Sequence, residues 1–298
     1  MKERMVWTVF LVLIVASLIS AGLFDWFKKD VQLAPSEQTN VRIGVGNADP
    51  SITNLDAISA VILLPAPDTT AVSFTFTARD ANGANDLVDS TASASFTKTG
   101  ETTRTNPCTF VSQAGKSKTY QCNVLMSHYD IEGVWDVAVK VEDQQAVQAT
   151  SASTFTVNPL KDIAISPSQI DFPAVAPEQT NIAPIGGQVT SVRNRGNYQG
   201  TLSISASNLI GETNPAENIP ASSLKASGLS QAASVCSTGT SLVSGSVTSI
   251  AGTLVKRGPD DGGSNIEEIS YCLTLVPDLS SQFYSATVAG GNAWTIQI

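Results

Sequence analysis

The best candidate site for chemistry is Asp80-Ala-Asn82-Gly83-Ala-Asn85-Asp86, with Asp89 nearby. Calcium takes six to eight oxygens from carboxylates, Asn carbonyls and backbone, delivered by a tight loop. Asp80, Asn82 and Asp86 can present such oxygens together, so we read them as a candidate structural calcium site. The spacing is not that of an EF-hand, which places acidic or amide residues at alternate positions before its Gly. The competing reading is an Asn-Gly turn whose Asp and Asn side chains bond the local backbone. Asp260 and Asp261 pose the same choice, without a second set of ligands.

Other chemistry finds little footing. The only histidine is His128, with Asp130 two residues on. A Ser–His–Asp arrangement also needs a positioned serine, and no nucleophile-elbow pattern occurs in the chain. His128 therefore reads as an exposed loop residue. Gly44-Val-Gly46 lacks the following helix of a nucleotide loop. Carboxylate pairs for glycoside hydrolysis come from distant strands, and no pair stands out. The expectation is a protein with no catalytic residues and no cofactor beyond that calcium.

The four cysteines are Cys108, Cys122, Cys236 and Cys272. There is no C-x-x-C, and with a single histidine a zinc or redox site has no support. Disulfides are expected, and three connectivities are open to four cysteines. We expect Cys108–Cys122 and Cys236–Cys272, because each pair then stays inside one expected domain.

Disulfides require an oxidising compartment, and the N-terminus offers a route to one. Lys2 and Arg4 precede an uncharged run from Val6 to Ile19, followed by Ser20, Ala21 and Gly22. This is the pattern of a secretory signal. Counted from Met5 to Leu23, the run is also just long enough for an uncleaved membrane anchor, with Phe24, Trp26 and Phe27 at the interface. Both readings stay open, and both put the rest of the chain outside the cytoplasm. Residues 1–30 are thus assigned to a signal peptide or anchor helix, and the membrane is an expected partner through it. The net charge of -9 repels nucleic acid, which is not expected as a partner. No N-glycosylation sequon occurs.

The elements that must carry these residues are strands. Val72, Phe74, Phe76 and Ala78 alternate with Ser73, Thr75 and Thr77. Tyr120, Cys122, Val124 and Met126 repeat the pattern, as do Trp135, Val137, Val139 and Val141, then Phe155 and Val157. Alternation of period two marks a half-buried strand. Residues 31–58 read as irregular, apart from an alternation at Val41, Ile43 and Val45. After the short joint Asn158-Pro159-Leu160-Lys161, strand signal returns at Ile163 and Ile165, Val189 and Val192, and Leu202, Ile204 and Ala206. It returns again at Leu254, at Ile269, Tyr271, Leu273 and Leu275, and at Trp294, Ile296 and Ile298. Gly258 to Gly263 reads as a hairpin loop, and 211–250 as loops or a short helix. Trp135 and Trp294 share the phase of core residues. Cys272 has the opposite parity to its apolar neighbours, which places its disulfide on the outer face or at an edge. The joint is too short for a flexible tether, so a restricted angle is expected across it.

The stretch from Asp130 through Gly133 and Trp135 to Asp143 resembles the ending of immunoglobulin-like repeats in microbial surface proteins. Ser166-Pro167 through Ile170 and Phe172, then Asn194 to Asn197, is similar to the opening of exported immunoglobulin-like domains in archaeal envelope proteins. Tyr120-Gln121-Cys122 resembles the Tyr-x-Cys of immunoglobulin domains, but a partner at Cys108 joins neighbouring strands instead of pinning two sheets. The resemblance implies an all-β chain of two tandem immunoglobulin-like antiparallel sandwiches, 31–158 and 159–298, behind the N-terminal helix. It implies an extracellular, cell-surface setting and a structural or interaction role with a protein or glycan partner. Two alternatives stand beside it. One is a polymerising filament subunit that donates the strand around Val41, Ile43 and Val45. The other is a carbohydrate-binding or hydrolase accessory protein.

Overall fold

The computed structural model describes residues 39–228, 232–260, 263–288 and 293–298. The expected leader at 1–30, the stretch 31–38 and Asp261 lie outside those residues. The chain divides into two units, Met1–Gly46 and Asn47–Ile298. In the first, residues 39–46 form no strand, and Val41, Ile43 and Val45 are 79%, 81% and 87% exposed.

The second unit is predominantly β. Its first half holds β1 (Ser51–Leu55), β2 (Thr69–Arg79), β3 (Leu87–Thr97), β4 (Arg104–Ala114), β5 (Ser117–Ser127), β6 (Gly133–Asp143) and β7 (Gln148–Val157). They form a seven-stranded sheet in the order β1-β2-β5-β4-β3-β6-β7, with every pairing antiparallel. β4 changes partner along its length. Its start pairs with β3 as far as Pro107, and from Cys108 it pairs with β5. Pro107 sits at the changeover, where its missing N–H removes one ladder donor. The alternating residues of β2, β5, β6 and β7 all enter one core, with Phe76, Tyr120, Met126 and Trp135 fully buried. The indole N–H of Trp135 donates to the Ile131 carbonyl at 2.8 Å, which satisfies its polar end inside that core. Residues 31–58 are less irregular than expected, since β1 pairs with β2 across Ile52 and Ala78.

The second half holds β8 (Ile163–Ser166), β9 (Thr180–Ile182), β10 (Val189–Asn194), β11 (Ser203–Ser205), β12 (Leu209–Gly211), β13 (Asn218–Ile219) and β14 (Leu224–Ser227). The helix α1 (Ala232–Thr238) follows, then β15 (Thr240–Ser241), β16 (Val247–Ser249), β17 (Ile266–Leu275), β18 (Tyr284–Ser285) and β19 (Thr295–Gln297). A six-stranded sheet runs β15-β14-β17-β10-β8, with β9 also on β17, beside three-stranded sheets β16-β11-β19 and β13-β12-β18. Leu202, Ile204, Ile250, Val255 and Ile269 centre its core, and Trp294 packs against it half-buried. The strand expected at Val189 and Val192 is β10, whose buried phase is Thr190, Val192 and Asn194. Two expectations are corrected. Leu254 is 48% exposed and lies outside any strand, so no strand leads into the expected hairpin loop at Gly258. Cys272 does face away from the core of Ile269, Tyr271 and Leu273, but it is fully buried in mid-sheet. The helix α1 packs on that face of β17 and brings Cys236 to it.

The two halves meet at a hydrogen-bonded joint. The turn Asn194-Arg195-Gly196-Asn197 lies on Asn158 to Asp162. The Leu160 carbonyl accepts from the N–H groups of Asn197 (3.2 Å) and Tyr198 (3.3 Å). The Asn197 side chain accepts from the Leu160 N–H at 2.6 Å and donates to the Asn158 carbonyl at 3.1 Å. Ala66 and Arg195 bond reciprocally: Ala66 N–H donates to the Arg195 carbonyl (2.9 Å), and Arg195 Nη2 donates to the Ala66 carbonyl (2.7 Å). Arg257 adds an ion pair to Glu101 and a bond to the Tyr129 carbonyl at 2.9 Å.

Candidate metal centre

β2 delivers Asp80 directly after its last residue, Arg79. The buried phase of that strand is Val72, Phe74, Phe76 and Ala78, and Asp80 continues it, fully buried. The backbone then turns sharply. Gly83 has φ 141 and ψ 155, a region open in practice only to glycine. The 3-10 turn Ala84–Asp86 follows, closed by the Asp86 N–H on the Gly83 carbonyl at 3.0 Å. This turn swings Asp86 back towards Asp80.

β6 delivers the third carboxylate. Asp143 ends the phase of Trp135, Val137, Val139 and Val141 and is 2% exposed. Its Oδ1 accepts from the N–H groups of Gln145 (2.9 Å) and Val147 (2.8 Å), and its Oδ2 accepts from Asn47 Nδ2 (2.8 Å). One ligand atom each from Asp80, Asp86 and Asp143 lie within 4.8 Å of one another.

The electrostatics follow from this crowding. Burial, and then the charges of Asp80 and Asp143, hold the Asp86 carboxyl above its ordinary value. Burial also pushes Asp143 up. The bonds from Asn47 and from the Val147 and Gln145 N–H groups outweigh that and leave it below its ordinary value. One oxygen of Asp80 serves the local turn by accepting the Asn82 N–H at 2.7 Å. The other, Oδ2, is buried with no hydrogen-bond partner. Among the described residues no lysine, arginine or histidine forms an ion pair with any of the three. The nearby Lys116 ammonium donates instead to the Ala81 carbonyl.

Of the candidates read from the sequence, the fold brings Asp80 and Asp86 together. Asn82 is next to them: its N–H donates to Asp80 Oδ1 at 2.7 Å, and its own Oδ1 accepts the Ala48 N–H at 2.6 Å. Asp89 turns to Lys118 (2.7 Å) and the Tyr120 hydroxyl (2.8 Å). Asp260 pairs with Arg193. Sequence reasoning missed Asp143, although an acid in the core phase of a strand was the available signal. His128 lies in a loop but is buried, at 5% exposure, with its ring edge-on to Tyr129. Its neighbour Asp130 is taken by Arg104, so no catalytic pair forms there.

The disulfides Cys108–Cys122 and Cys236–Cys272 are both present. Cys108 and Cys122 sit directly opposite each other on β4 and β5, so this bond ties neighbouring strands. No family model matches the chain. A search of curated proteins finds no significant match either.

Proposed function

We propose that the chain is an exported, non-catalytic protein of the cell surface or envelope. In this reading its two halves are tandem immunoglobulin-like sandwiches with a structural or interaction role. The N-terminal segment meets the membrane, and loops are presented to a protein or glycan. The locked joint carries the reading. The turn 194–197 fixes one half against the other through backbone and side-chain bonds, with Gly196 letting the chains touch. A fixed spacing between two β-rich halves suits a spacer or display role. The strand order supports the immunoglobulin-like part: β1-β2-β5-β4 and β3-β6-β7 correspond to the two sheets of a seven-stranded immunoglobulin domain. Two disulfides support an oxidising compartment. Labelling of intact cells with a membrane-impermeant amine reagent tests the proposal. Exposed Lys116, Lys140 and Lys256 are expected to label before lysis. Labelling only after lysis would refute export.

One observation favours a second reading, a subunit that polymerises by strand addition. Val41, Ile43 and Val45 alternate yet stay exposed. A donated strand would hydrogen-bond to a sheet edge of another copy, and β8 ends the six-stranded sheet. Size-exclusion chromatography across a concentration series separates the readings: a species that stays monomeric argues against polymerisation.

A further inference from the structure

Three acids share one small volume, and two of them are buried. Partly desolvated like charges repel, and a protein leaves such a group in place only where something compensates it. Asp143 has compensation in its three hydrogen bonds. Asp80 has half of it: Oδ1 is bonded, and Oδ2 is buried with no partner. That orphaned oxygen belongs to the carboxylate closest to the core, in a group whose members approach within 4.8 Å. It marks a missing positive partner and is independent of the clustering itself.

The donor set selects the partner. All three ligands are hard carboxylate oxygens, with no Cys or His among them. Such a set disfavours zinc and copper and suits calcium, which accepts irregular geometry and mixed mono- and bidentate carboxylates. We propose that Asp80, Asp86 and Asp143 bind one calcium ion that ties the end of β2, the loop after it and the end of β6 together. The ion also fastens the start of the second unit. Asn47 is bonded to Asp143, and Ala48 to Asn82 in the loop that carries Asp80 and Asp86. Loss of the ion leaves the two acidic segments repelling each other and loosens that strap. The site rests on this geometry alone and stands whether or not the protein is displayed at a surface.

The test is a thermal melt of the purified full chain in calcium chloride against chelator, with sodium chloride at matched ionic strength as control. Extracellular modules bind calcium with Kd of about 0.1–1 mM. At about 10 mM calcium, linkage and the usual entropy of unfolding for a protein of this size give a rise of about 2–5 °C. Asp86→Asn and Asp80→Asn are expected to abolish the rise. Both remove one of the repelling charges, so their melting temperature in chelator stays at or above that of the parent. Asp136→Asn, on the exposed face of β6, is expected to keep the rise in full. Isothermal titration with calcium chloride gives a second readout, expected to show one site in the parent and none in Asp86→Asn. No rise in the parent, an equal rise with sodium chloride, or a full rise retained in Asp86→Asn would each overturn the site.

Discussion

Gly196 is where the joint is tightest, and Gly196→Ala is the change that probes it. A Cβ built there would lie 2.0 Å from the Leu160 carbonyl oxygen and 2.9 Å from its carbon. Ordinary contact begins near 3.4 Å, so the oxygen would have to retreat by about 1.4 Å. That oxygen accepts from the Asn197 and Tyr198 N–H groups, at 3.2 and 3.3 Å, and the retreat breaks both bonds. The Asn197 side chain holds Leu160 and Asn158 from the other side and is strained by the same movement. Each lost hydrogen bond is worth about 1 kcal/mol net, and overpacking costs about 1–3 kcal/mol, so losing both bonds gives an expected loss of about 3–5 kcal/mol. Equilibrium unfolding of the full chain in urea measures it, with Trp135 as the buried fluorophore. At a slope of about 3 kcal/mol per molar urea, the midpoint falls by about 1–1.7 M. Gly44→Ala is the control, since nothing lies within 4 Å of its added methyl group, and no shift is expected. A Gly196→Ala protein within about 0.5 kcal/mol of the parent, the range of neutral surface changes, would refute the claim that the joint is closed at this point.

Two further outcomes follow from the same structure. Replacing Cys108 and Cys122 together by Ala is expected to cost about 3 kcal/mol, because the bond closes a loop with a sequence separation of 14; urea unfolding measures this, and no change would show that the loop is already ordered without the bond. The Glu217 carboxyl is held down to about 2, against an ordinary 4.5, by Ser280, Tyr284 and Gln282. A depressed carboxylate contributes stability above its ordinary pKa and loses it as pH falls through the folded one. Glu217→Gln should therefore lower the melting temperature at pH 7. The gap should shrink below pH 4.5 and close near pH 2; a gap that stays constant over that range would contradict the assignment.

Much of the first half was legible because its strands are long. Eleven residues of β2 and of β6 give enough alternation to separate two faces. The same phase carried the clue to the metal centre. Asp80 follows Ala78, and Asp143 follows Val141, each at the next core-facing position. An acid in that place is costly unless compensated, which singles it out. What the sequence could not supply was the meeting of the two, because Asp143 reaches Asp86 only through the pairing of β6 with β3. The bond from the Ala48 N–H to Asn82 likewise depends on where the preceding segment lies.

The second half resisted reading for the opposite reason. Strands of two to four residues, such as β13 and β8, are too short to show a period. Cys272 illustrates a limit of parity. Its phase placed it correctly on the far face of β17, but a seven-residue helix covers that face and makes it interior. The role of Asn194 to Asn197 was invisible as well. The motif read as a turn, and only the fold shows the turn gripping the joint.

The most direct test of a fixed tandem of β-rich halves is the distance between them in solution. Spin labels carried on unnatural amino acids at exposed Thr154 and Val247 leave the four cysteines untouched. Double electron–electron resonance on the full chain should then give one narrow distance distribution, broadened by Gly196→Ala. A broad or multiple distribution in the parent protein would mean that the halves move freely, and the spacer role would lose its basis.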